Sequence, residues 1–391
     1  MAVVIGLLLL AGTALLLDAS TGPTPARPVV VVDAEPGELL SAEPAALSDG
    51  LAGEAWRIRY TSEAPDGSVV PVSGMVFRPA GPAPDGGFPV VSWAHVTLGA
   101  ADTCAPSQVT TGVFAGLDRL LGLGAVVVAT DYPGLGTPGS HPYLVGASEG
   151  AAVLDAVRAA RALDGADAAA DGPVGLVGYS QGGHAVLFAR AMAPDHAPDI
   201  DLVGTVAVAP VTDVAEFVAR GEHNPELVVF RLLVLRTWPE AYDGLSWDEV
   251  TTPEAAPVGE AIDRQCTDPI GELAADGFLE RLWSARPEAL PAWRAAFEEN
   301  TPRATGATSP LLVVHGGADP IVPIGGTERY VAEVCRRGEP VELLTDPAWN
   351  HGAVMVETWD RDLAWLAGRL GGANTLTAGD RPPGDEASGC P

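Results

Sequence analysis

Short apolar segments recur along this chain and alternate with longer segments that have the spacing of helices. Six of them have the length of single strands: 88–95, 125–132, 174–180, 202–210, 310–317 and 341–346. Uninterrupted apolar strands are typical of a parallel sheet buried on both faces. The segments with helical spacing are 112–124, 149–163, 326–337 and 353–370. The alternation predicts a mostly parallel α/β sheet with helices on both faces.

The two ends of the chain have a different character. Two alternating runs within 56–79 flank a Pro-Asp-Gly turn and predict an antiparallel hairpin. Residues 21–50 are rich in Pro, Ala and Glu and predict a linker with an irregular lead-in. Residues 371–391 are rich in Gly and Pro and predict a tail. The core of the fold is therefore expected in 51–210 and 306–370.

The alternation stops between 211 and 305, where the sequence becomes helical. This segment contains five tryptophans or tyrosines: Trp238, Tyr242, Trp247, Trp283 and Trp293. Each ring on its own is expected in an ordinary apolar core. The segment as a whole interrupts the sheet between two strands and predicts a helical cap over the site. We call residues 211–305 the helical insertion.

The N-terminal residues predict export. Residues 3–17 are almost entirely apolar, which is shorter than the roughly 20 residues of a membrane-spanning helix. This length fits the apolar region of a signal peptide, expected here at 1–20, with Ala19 and Ser20 in the cleavage region. No Lys or Arg precedes the apolar run. We expect a secreted protein, with an N-terminal membrane anchor as the alternative.

Composition and charge limit the classes of molecule that this protein is expected to bind. The chain has 391 residues, 47% of them hydrophobic, which is enough for a large core. Its formal net charge of −29 repels nucleic acid and anionic membranes. Four cysteines are present: Cys104, Cys266, Cys335 and Cys390. Their spacing matches no metal site, and in an exported chain the even count predicts two disulfides, with three pairings possible.

Residues 178–182, Gly-Tyr-Ser-Gln-Gly, match the G-x-S-x-G pattern of a nucleophile elbow. An apolar strand precedes this motif and a helical segment follows it. The chain must turn sharply there, so side chains at Gly178 and Gly182 would collide with neighbouring segments. The turn raises the hydroxyl of Ser180 above a helix N-terminus, which favours developing negative charge.

A serine hydroxyl needs a base, and the base needs an orienting acid. Asp319 follows the strand at 310–317, and His351 follows the next strand, in a predicted loop. Ser180, Asp319 and His351 therefore stand in the required chain order. Other candidates are expected to have other roles. His184 is expected in a wall or helix contact, His315 in backbone support, His196 and His223 in solvated loops, Asp213 as the alternative acid, and Asp346 in a turn cap.

The oxyanion that forms during acyl transfer needs two backbone donors. The N–H of Gln181 is the first expected donor. The second is expected from the loop after the strand at 88–95, and Val96 is the first choice, with Thr97 or Asp102 as helpers. His95 is expected to shape this loop.

These motifs together resemble the secretory lipase family, of the Candida antarctica lipase A type, in its bacterial branch. The resemblance covers about 55–370 and is carried by SWAHVTLGAADTCAPS, DYPGLGT, HPYLVG, VGYSQGGHA, HGGADPIVP and NHG. It implies an α/β-hydrolase fold, a helical cap inserted before the acid, hydrolysis of triacylglycerols and simpler esters, and no cofactor. It implies the triad Ser180, Asp319 and His351, and the disulfides Cys104–Cys266 and Cys335–Cys390.

The chain departs from the family pattern in the oxyanion loop. Bacterial members of the family commonly read His-Gly-Thr-Thr-Gly, whereas this chain reads His95-Val96-Thr97-Leu98-Gly99. Valine keeps the amide donor but narrows the space for a bulky ester. Gly150 also stands near a position where an arginine is frequent, with no catalytic consequence.

Three classes of function follow from the sequence. The first is a serine carboxylester hydrolase, either a lipase or an esterase restricted to short chains, acting as a monomer with transient contact at a lipid–water interface. The second is a serine peptidase or amidase, because Ser-Gln-Gly-Gly resembles the elbows of some peptidases; the absence of a propeller-like repeat argues against it. The third is a binding protein with a decayed site.

Overall fold

A single mixed sheet forms the centre of the computed structural model, which describes residues 29–48, 50–108, 116–267 and 279–371. Within these residues the sheet has nine strands in the order β1-β2-β3-β5-β4-β6-β7-β8-β9. The strands are β1 Leu39–Ala45, β2 Gly53–Glu63, β3 Val69–Pro79, β4 Val90–Ala94, β5 Val126–Thr130, β6 Val174–Tyr179, β7 Leu202–Val208, β8 Leu311–Gly316 and β9 Val341–Asp346.

The strands from β5 to β9 in the sheet run parallel, and β1, β2 and β3 extend the sheet as antiparallel neighbours. β4, β5 and β6 are buried along nearly their whole length. Ala94 at the end of β4 lies opposite both Thr130 of β5 and Gly178 of β6. Because these strands are parallel and in register, the loops that follow them meet at one edge of the sheet. This confirms the predicted α/β-hydrolase fold.

Helices cover both faces of the sheet. Two of them follow sheet strands directly, α2 Gly146–Arg161 and α3 Gln181–His196, and they pack on one face together with α9 Ile324–Arg336. The other face is covered by α1 Leu117–Gly122 and α10 His351–Ala367. Apolar side chains fill the space between each helical layer and the sheet, so burial of apolar area holds the three layers together.

The helical insertion lies between β7 and β8 and has an apolar core of its own. Its described helices are α4 Val214–Arg220, α5 Val228–Ala241, α6 Trp247–Val250, α7 Ala256–Ile262 and α8 Pro291–Glu299. Trp238 and Trp293 are fully buried in this core, with ring centroids 6.3 Å apart, and Phe297 packs beside both rings. Trp238 and Trp293, noted in the sequence, thus lie in a hydrophobic cluster that is separate from the two clusters packed on the sheet. The division of the chain into domains at 211 and 305 stays a prediction.

Two elements differ from the prediction. Residues 39–45, expected in an irregular lead-in, form β1 at the edge of the sheet. Its sequence, LLSAEPA, is half exposed and does not alternate, because an edge strand is held by backbone pairing with β2 rather than by an apolar face. The helix predicted at 353–370 begins earlier, at His351.

Several predicted features lie outside the described residues. These are the signal peptide 1–20, residues 21–28 and 49 of the predicted linker and lead-in, the first part of the helix at 112–124, and the tail from 372 onward including Cys390. Over the ranges that the structure describes, every helix is too short or too polar to cross a membrane.

Candidate active site

The nucleophile elbow joins β6 to α3 at Ser180. Ser180 has φ 58° and ψ −114°, in the left-handed half of conformational space that side chains rarely adopt. A Cβ atom on Gly178 would lie 2.0 Å from the carbonyl oxygen of Gly182. A Cβ atom on Gly182 would lie 1.9 Å from the carbonyl oxygen of Ala94. Only glycine fits at both positions, as the motif predicts, and the close packing holds Ser180 in its strained conformation.

The structure brings Ser180, Asp319 and His351 together from the segments that follow β6, β8 and β9. Nε2 of His351 lies 3.1 Å from Oγ of Ser180, and Nδ1 lies 2.6 Å from Oδ2 of Asp319. The His351 and Asp319 side chains are almost completely buried. The three predicted residues therefore form one continuous hydrogen-bonded relay, in which His351 can take a proton from the hydroxyl while Asp319 holds the ring.

The Asp319 carboxylate is supported on both oxygens. Oδ1 accepts hydrogen bonds from the N–H groups of Ile321 and Val322, at 2.8 and 2.9 Å. Nε2 of His315 donates to the carbonyl oxygen of Val322 and lies 3.5 Å from Oδ2. Burial raises the pKa of Asp319, but the hydrogen bonds from His315 and His351 outweigh it and hold the pKa below its usual value. Asp319 is therefore a carboxylate, as the orienting role requires.

His351 is the first residue of α10, not a loop residue as predicted. Asn350 caps this helix by accepting a hydrogen bond from the N–H of Ala353 at 2.8 Å. The Tyr179 hydroxyl donates to the carbonyl oxygen of His351 at 2.8 Å, and the two rings lie 5.1 Å apart. The cap and the tyrosine fix the backbone of His351 from both sides, so the imidazole is held rigidly on a secondary-structure element.

The alternative acids have structural roles. Asp213 caps α4 by accepting from the N–H of Glu216, and its second oxygen accepts from Arg329 at 2.8 Å. Asp346 accepts from the N–H of Ala348 at 2.7 Å, in the turn after β9 that the sequence predicts. Neither carboxylate is hydrogen-bonded to His351, whose Nδ1 is already bonded to Asp319.

Three other histidines weighed in the sequence lie away from the relay: His184, His196 and His223. His184 is buried against Glu149 of α2, in the helix contact predicted for it. His223 is exposed, as predicted. His196 is different from the prediction: it is the last residue of α3, and its Nε2 lies 2.9 Å from Oδ1 of Asp155. The buried Asp155 carboxylate stabilises the imidazole there and raises the pKa of His196, so this residue is not in a solvated loop.

The loop after β4 lies beside the N-terminus of α3, because Gly182 packs directly on Ala94 and His95. His95 is buried and donates from Nδ1 to the carbonyl oxygen of Val96 at 2.6 Å. Burial lowers the pKa of His95 to about 4, so the ring is neutral and shapes the loop, as predicted. Among the described residues, none accepts a hydrogen bond from the N–H of Val96 or of Gln181. Both amides are available to an incoming oxygen.

The same loop is tied to the helical insertion. Cys104 forms a disulfide with Cys266, with the Cα atoms 5.5 Å apart. The N–H of Thr267 donates to the carbonyl oxygen of Leu98 at 3.0 Å. This is the first pairing that the resemblance implies. Cys335 is also disulfide-bonded, whereas its predicted partner Cys390 lies outside the described residues.

The remaining loop contacts place the two suggested helpers. Oγ1 of Thr97 lies 2.9 Å from the hydroxyl of Tyr143. Asp102 begins a short 3-10 turn, Asp102–Cys104. Neither observation tests the suggested role of these residues at the oxyanion, which stays a prediction.

Sequence reasoning missed a buried polar cluster behind the nucleophile. Glu149, Gln181 and His184 are each at most 1% exposed and contact one another, together with His141 and Asn300. A glutamate in the first turn of the alanine-rich helix α2 is the local signal of such a site. Its partners come from distant parts of the chain, so sequence spacing could not identify them.

The described residues hold no group of three or more His, Cys, Asp or Glu side chains arranged to bind a metal ion.

Two known sequence families match separate parts of the chain. The sequence profile of the secretory lipase family matches residues 107–245, and that of the prolyl oligopeptidase family matches residues 282–373. A Mycobacterium tuberculosis protein named as a probable inactive lipase is 24% identical over 315 residues, which is 76% of this chain and 69% of that protein. Lipase 4 of Candida albicans is 26% identical over 299 residues, 72% of this chain and 62% of the relative.

The fold is similar to that of a solved lipase. The X-ray structure of Candida antarctica lipase A in its closed state superposes with a TM-score of 0.75 at 18% identity, and the match covers 90% of this chain and 86% of that one. At this level of identity the likeness concerns the fold.

Proposed function

The chain belongs to the secretory lipase family and is a serine hydrolase of the lipase type, and from this premise we propose that it hydrolyses carboxylic esters through Ser180, His351 and Asp319. The observation that carries the proposal is the unbroken relay from Oγ of Ser180 through His351 to Asp319, with contacts of 3.1 and 2.6 Å. Each of the three residues has the chemistry that its place in the relay demands.

In the first half of the proposed reaction, Oγ of Ser180 attacks the ester carbonyl carbon and Nε2 of His351 takes the hydroxyl proton. The imidazolium that forms is stabilised by the Asp319 carboxylate. The tetrahedral intermediate then collapses, the bond to the alcohol breaks, and His351 gives its proton to the departing oxygen. The acyl group remains on Ser180 as an ester.

In the second half, His351 takes a proton from water while the water oxygen attacks the acyl-enzyme. Collapse of the second tetrahedral intermediate releases the carboxylic acid and returns the proton to Ser180. Both intermediates carry a negative oxygen. The N–H groups of Gln181 and Val96 are the proposed donors to it, because both lie at the elbow edge of the sheet without a described acceptor.

The substrate is proposed to be a triacylglycerol or a simpler ester, as family membership favours. The apolar N-terminal residues and the family's secretory character support export. The strongly acidic surface fits a monomer that touches a lipid–water interface transiently. Hydrolysis limited to short acyl chains is the alternative within this class, because Val96 stands where a glycine is common.

Amide hydrolysis is the second candidate, and one specific observation favours it. The prolyl oligopeptidase profile matches residues 282–373, the part of the chain that contains Asp319 and His351. The same relay can attack an amide, since the first step differs only in the leaving group. The secretory lipase match lies on the segment with the elbow, so we place esters first.

The test is hydrolysis of p-nitrophenyl esters from acetate to palmitate by the wild-type protein and by Ser180→Ala. We expect activity that Ser180→Ala abolishes while the melting temperature stays unchanged. Activity on palmitate supports the lipase, and activity confined to acetate and butyrate supports the short-chain esterase. Faster cleavage of aminoacyl anilides than of esters would favour the amidase, and undiminished activity in Ser180→Ala would exclude the proposed nucleophile.

A further inference from the structure

The polar cluster behind the nucleophile consists of Glu149, His141, Gln181, His184 and Asn300. All five side chains are at most 1% exposed. Burying this many polar groups is costly unless their hydrogen bonds are made. The cluster includes the side chain of Gln181, the residue whose N–H is proposed to donate to the oxyanion, and the reaction proposed above does not use this side chain.

The side-chain amide of Gln181 is held by two acceptors. Its Nε2 donates to Oε1 of Glu149 at 2.7 Å and to Nε2 of His141 at 3.0 Å. His141 can accept there because its Nδ1 donates to the carbonyl oxygen of Pro133 at 3.1 Å. Both hydrogens of the amide are therefore used, and the Gln181 side chain has one orientation. Gln181 is the first residue of α3, so a fixed side chain also restrains its peptide N–H.

The same glutamate oxygen also holds a second strained segment. Oε1 of Glu149 accepts from the N–H of Leu144 at 2.9 Å. Leu144 has φ 56° and Ser180 has φ 58°, both in the left-handed region that costs free energy in a non-glycine residue. One carboxylate oxygen thus joins two segments that would relax if they were released.

The second oxygen of Glu149 connects the cluster to the helical insertion. Oε2 lies 3.1 Å from Nδ1 of His184, and Nε2 of His184 lies 2.8 Å from the carbonyl oxygen of Asn300. A carbonyl only accepts, so Nε2 carries a hydrogen. Asn300 follows α8 and donates to the hydroxyl of Tyr242 at 2.6 Å.

Resting on the function proposed above, we propose that Glu149 is a positioning residue that sets the Gln181 N–H for the oxyanion through the Gln181 side chain. The link through His184 and Asn300 ties this setting to the end of the helical insertion. The proposed role depends on hydrogen-bond geometry and not on the charge of Glu149.

A second pair in the same two helices provides the matched control. Asp155 of α2 is also fully buried, and it accepts from Nε2 of His196 of α3 at 2.9 Å. It accepts further from Ser62 and Arg158, and it has no contact with Gln181. Loss of either carboxylate removes a buried acid–histidine pair between α2 and α3. Only loss of Glu149 releases the residue after the nucleophile.

The experiment measures kcat and KM on p-nitrophenyl butyrate, with the melting temperature, for the wild-type protein, Glu149→Ala, Glu149→Gln and Asp155→Ala. For Glu149→Ala we expect kcat to fall roughly 10- to 100-fold with KM changed less than about threefold, because misplacing a catalytic donor by about 1 Å has effects of this size. Asp155→Ala is expected to lower the melting temperature and leave kcat unchanged. Glu149→Gln is expected to keep kcat within about threefold of wild type, because its amide oxygen replaces Oε1 and its NH₂ can donate to His184.

The variant Gln181→Met makes the test independent of whether Glu149→Ala folds. It keeps the peptide N–H but cannot bind Glu149, so we expect the same fall in kcat, and no further fall in the double variant with Glu149→Ala. Full activity in Gln181→Met, multiplicative losses in the double variant, or a loss in Glu149→Gln equal to that in Glu149→Ala would each overturn the positioning role. Ester hydrolysis by Ser180→Ala at the wild-type rate would instead overturn the proposed function, so the two failures are distinct.

Discussion

Replacing Asp319 by asparagine changes one atom in the relay and tests its central contact. Oδ1 of Asp319 accepts from the N–H groups of Ile321 and Val322. An asparagine must therefore keep its amide oxygen at that position, because an NH₂ group there would face two donors. The NH₂ group then takes the place of Oδ2, which lies 2.6 Å from Nδ1 of His351.

The size of the effect follows from this forced orientation. With an NH₂ donor opposite, Nδ1 of His351 must accept, and the ring proton moves to Nε2, which lies 3.1 Å from Oγ of Ser180. An N–H group cannot take the hydroxyl proton. Loss of the base through the wrong tautomer is expected to lower kcat by about 10⁴, or about 5 kcal/mol in activation free energy. KM should change little, because Asp319 is buried behind His351 and does not face the substrate.

The assay is steady-state hydrolysis of p-nitrophenyl butyrate by the wild-type protein, Asp319→Asn and Asp213→Asn, with thermal unfolding of each. Asp213, the alternative acid, caps α4 and pairs with Arg329, so Asp213→Asn should keep wild-type kcat within about twofold, since surface changes of this kind have small effects. A kcat for Asp319→Asn within tenfold of wild type, with the fold intact, would refute the assignment of the acid. A large loss in Asp213→Asn alone would transfer the role.

Two further predictions concern the elbow and the core. Gly182→Ala should lower kcat by roughly 10², because its Cβ would lie 1.9 Å from the Ala94 carbonyl oxygen and must push the oxyanion loop away by about 1 Å. The control is Gly352→Ala, which lies beside His351 but whose Cβ would have its nearest atom 3.9 Å away, so this variant should keep its activity. Equal kcat values in the two variants would contradict the steric argument. Asp362 is fully buried, and burial raises its pKa to about 7. Between its unfolded pKa and 7 the folded state binds the extra proton, so the free energy of unfolding of the wild-type protein falls as pH rises through this window. Asparagine does not titrate, so the free energy of unfolding of Asp362→Asn should rise by about 3 kcal/mol relative to wild type between pH 5 and pH 8, measured by urea unfolding. A pH-independent difference would show that Asp362 does not titrate there.

Some features could be read from local sequence because their cause is local. The strands β4 to β8 are predicted by mainly apolar runs, since a strand buried on both faces has few polar side chains. The elbow is predicted by Gly178 and Gly182, since only glycine allows backbone contacts of 2.0 Å or less at those positions. The order Ser180, Asp319, His351 is predicted because each residue follows a strand of the same sheet, and parallel strands end at one edge.

Other features escaped prediction because their cause lies elsewhere in the chain. β1 is a strand only because the edge of β2 offers backbone partners, and the residues LLSAEPA do not indicate this pairing. His196 lies out of a solvated loop because Asp155, 41 residues away, bonds to it across two packed helices. The start of α10 at His351 was missed although its cause is local, since the neighbouring Asn350 caps the helix.

The sequence by itself therefore determined the class of sheet and predicted the three residues of the relay, because periodicity and glycine sterics act over a few residues and chain order is read directly. Only the tertiary structure decided which side chains support the site: His315 behind Asp319, Tyr179 on His351, and Glu149 with His184 behind Gln181. A hydrogen bond needs two groups within about 3 Å and in line, and for residues far apart in sequence only the folded chain sets that distance.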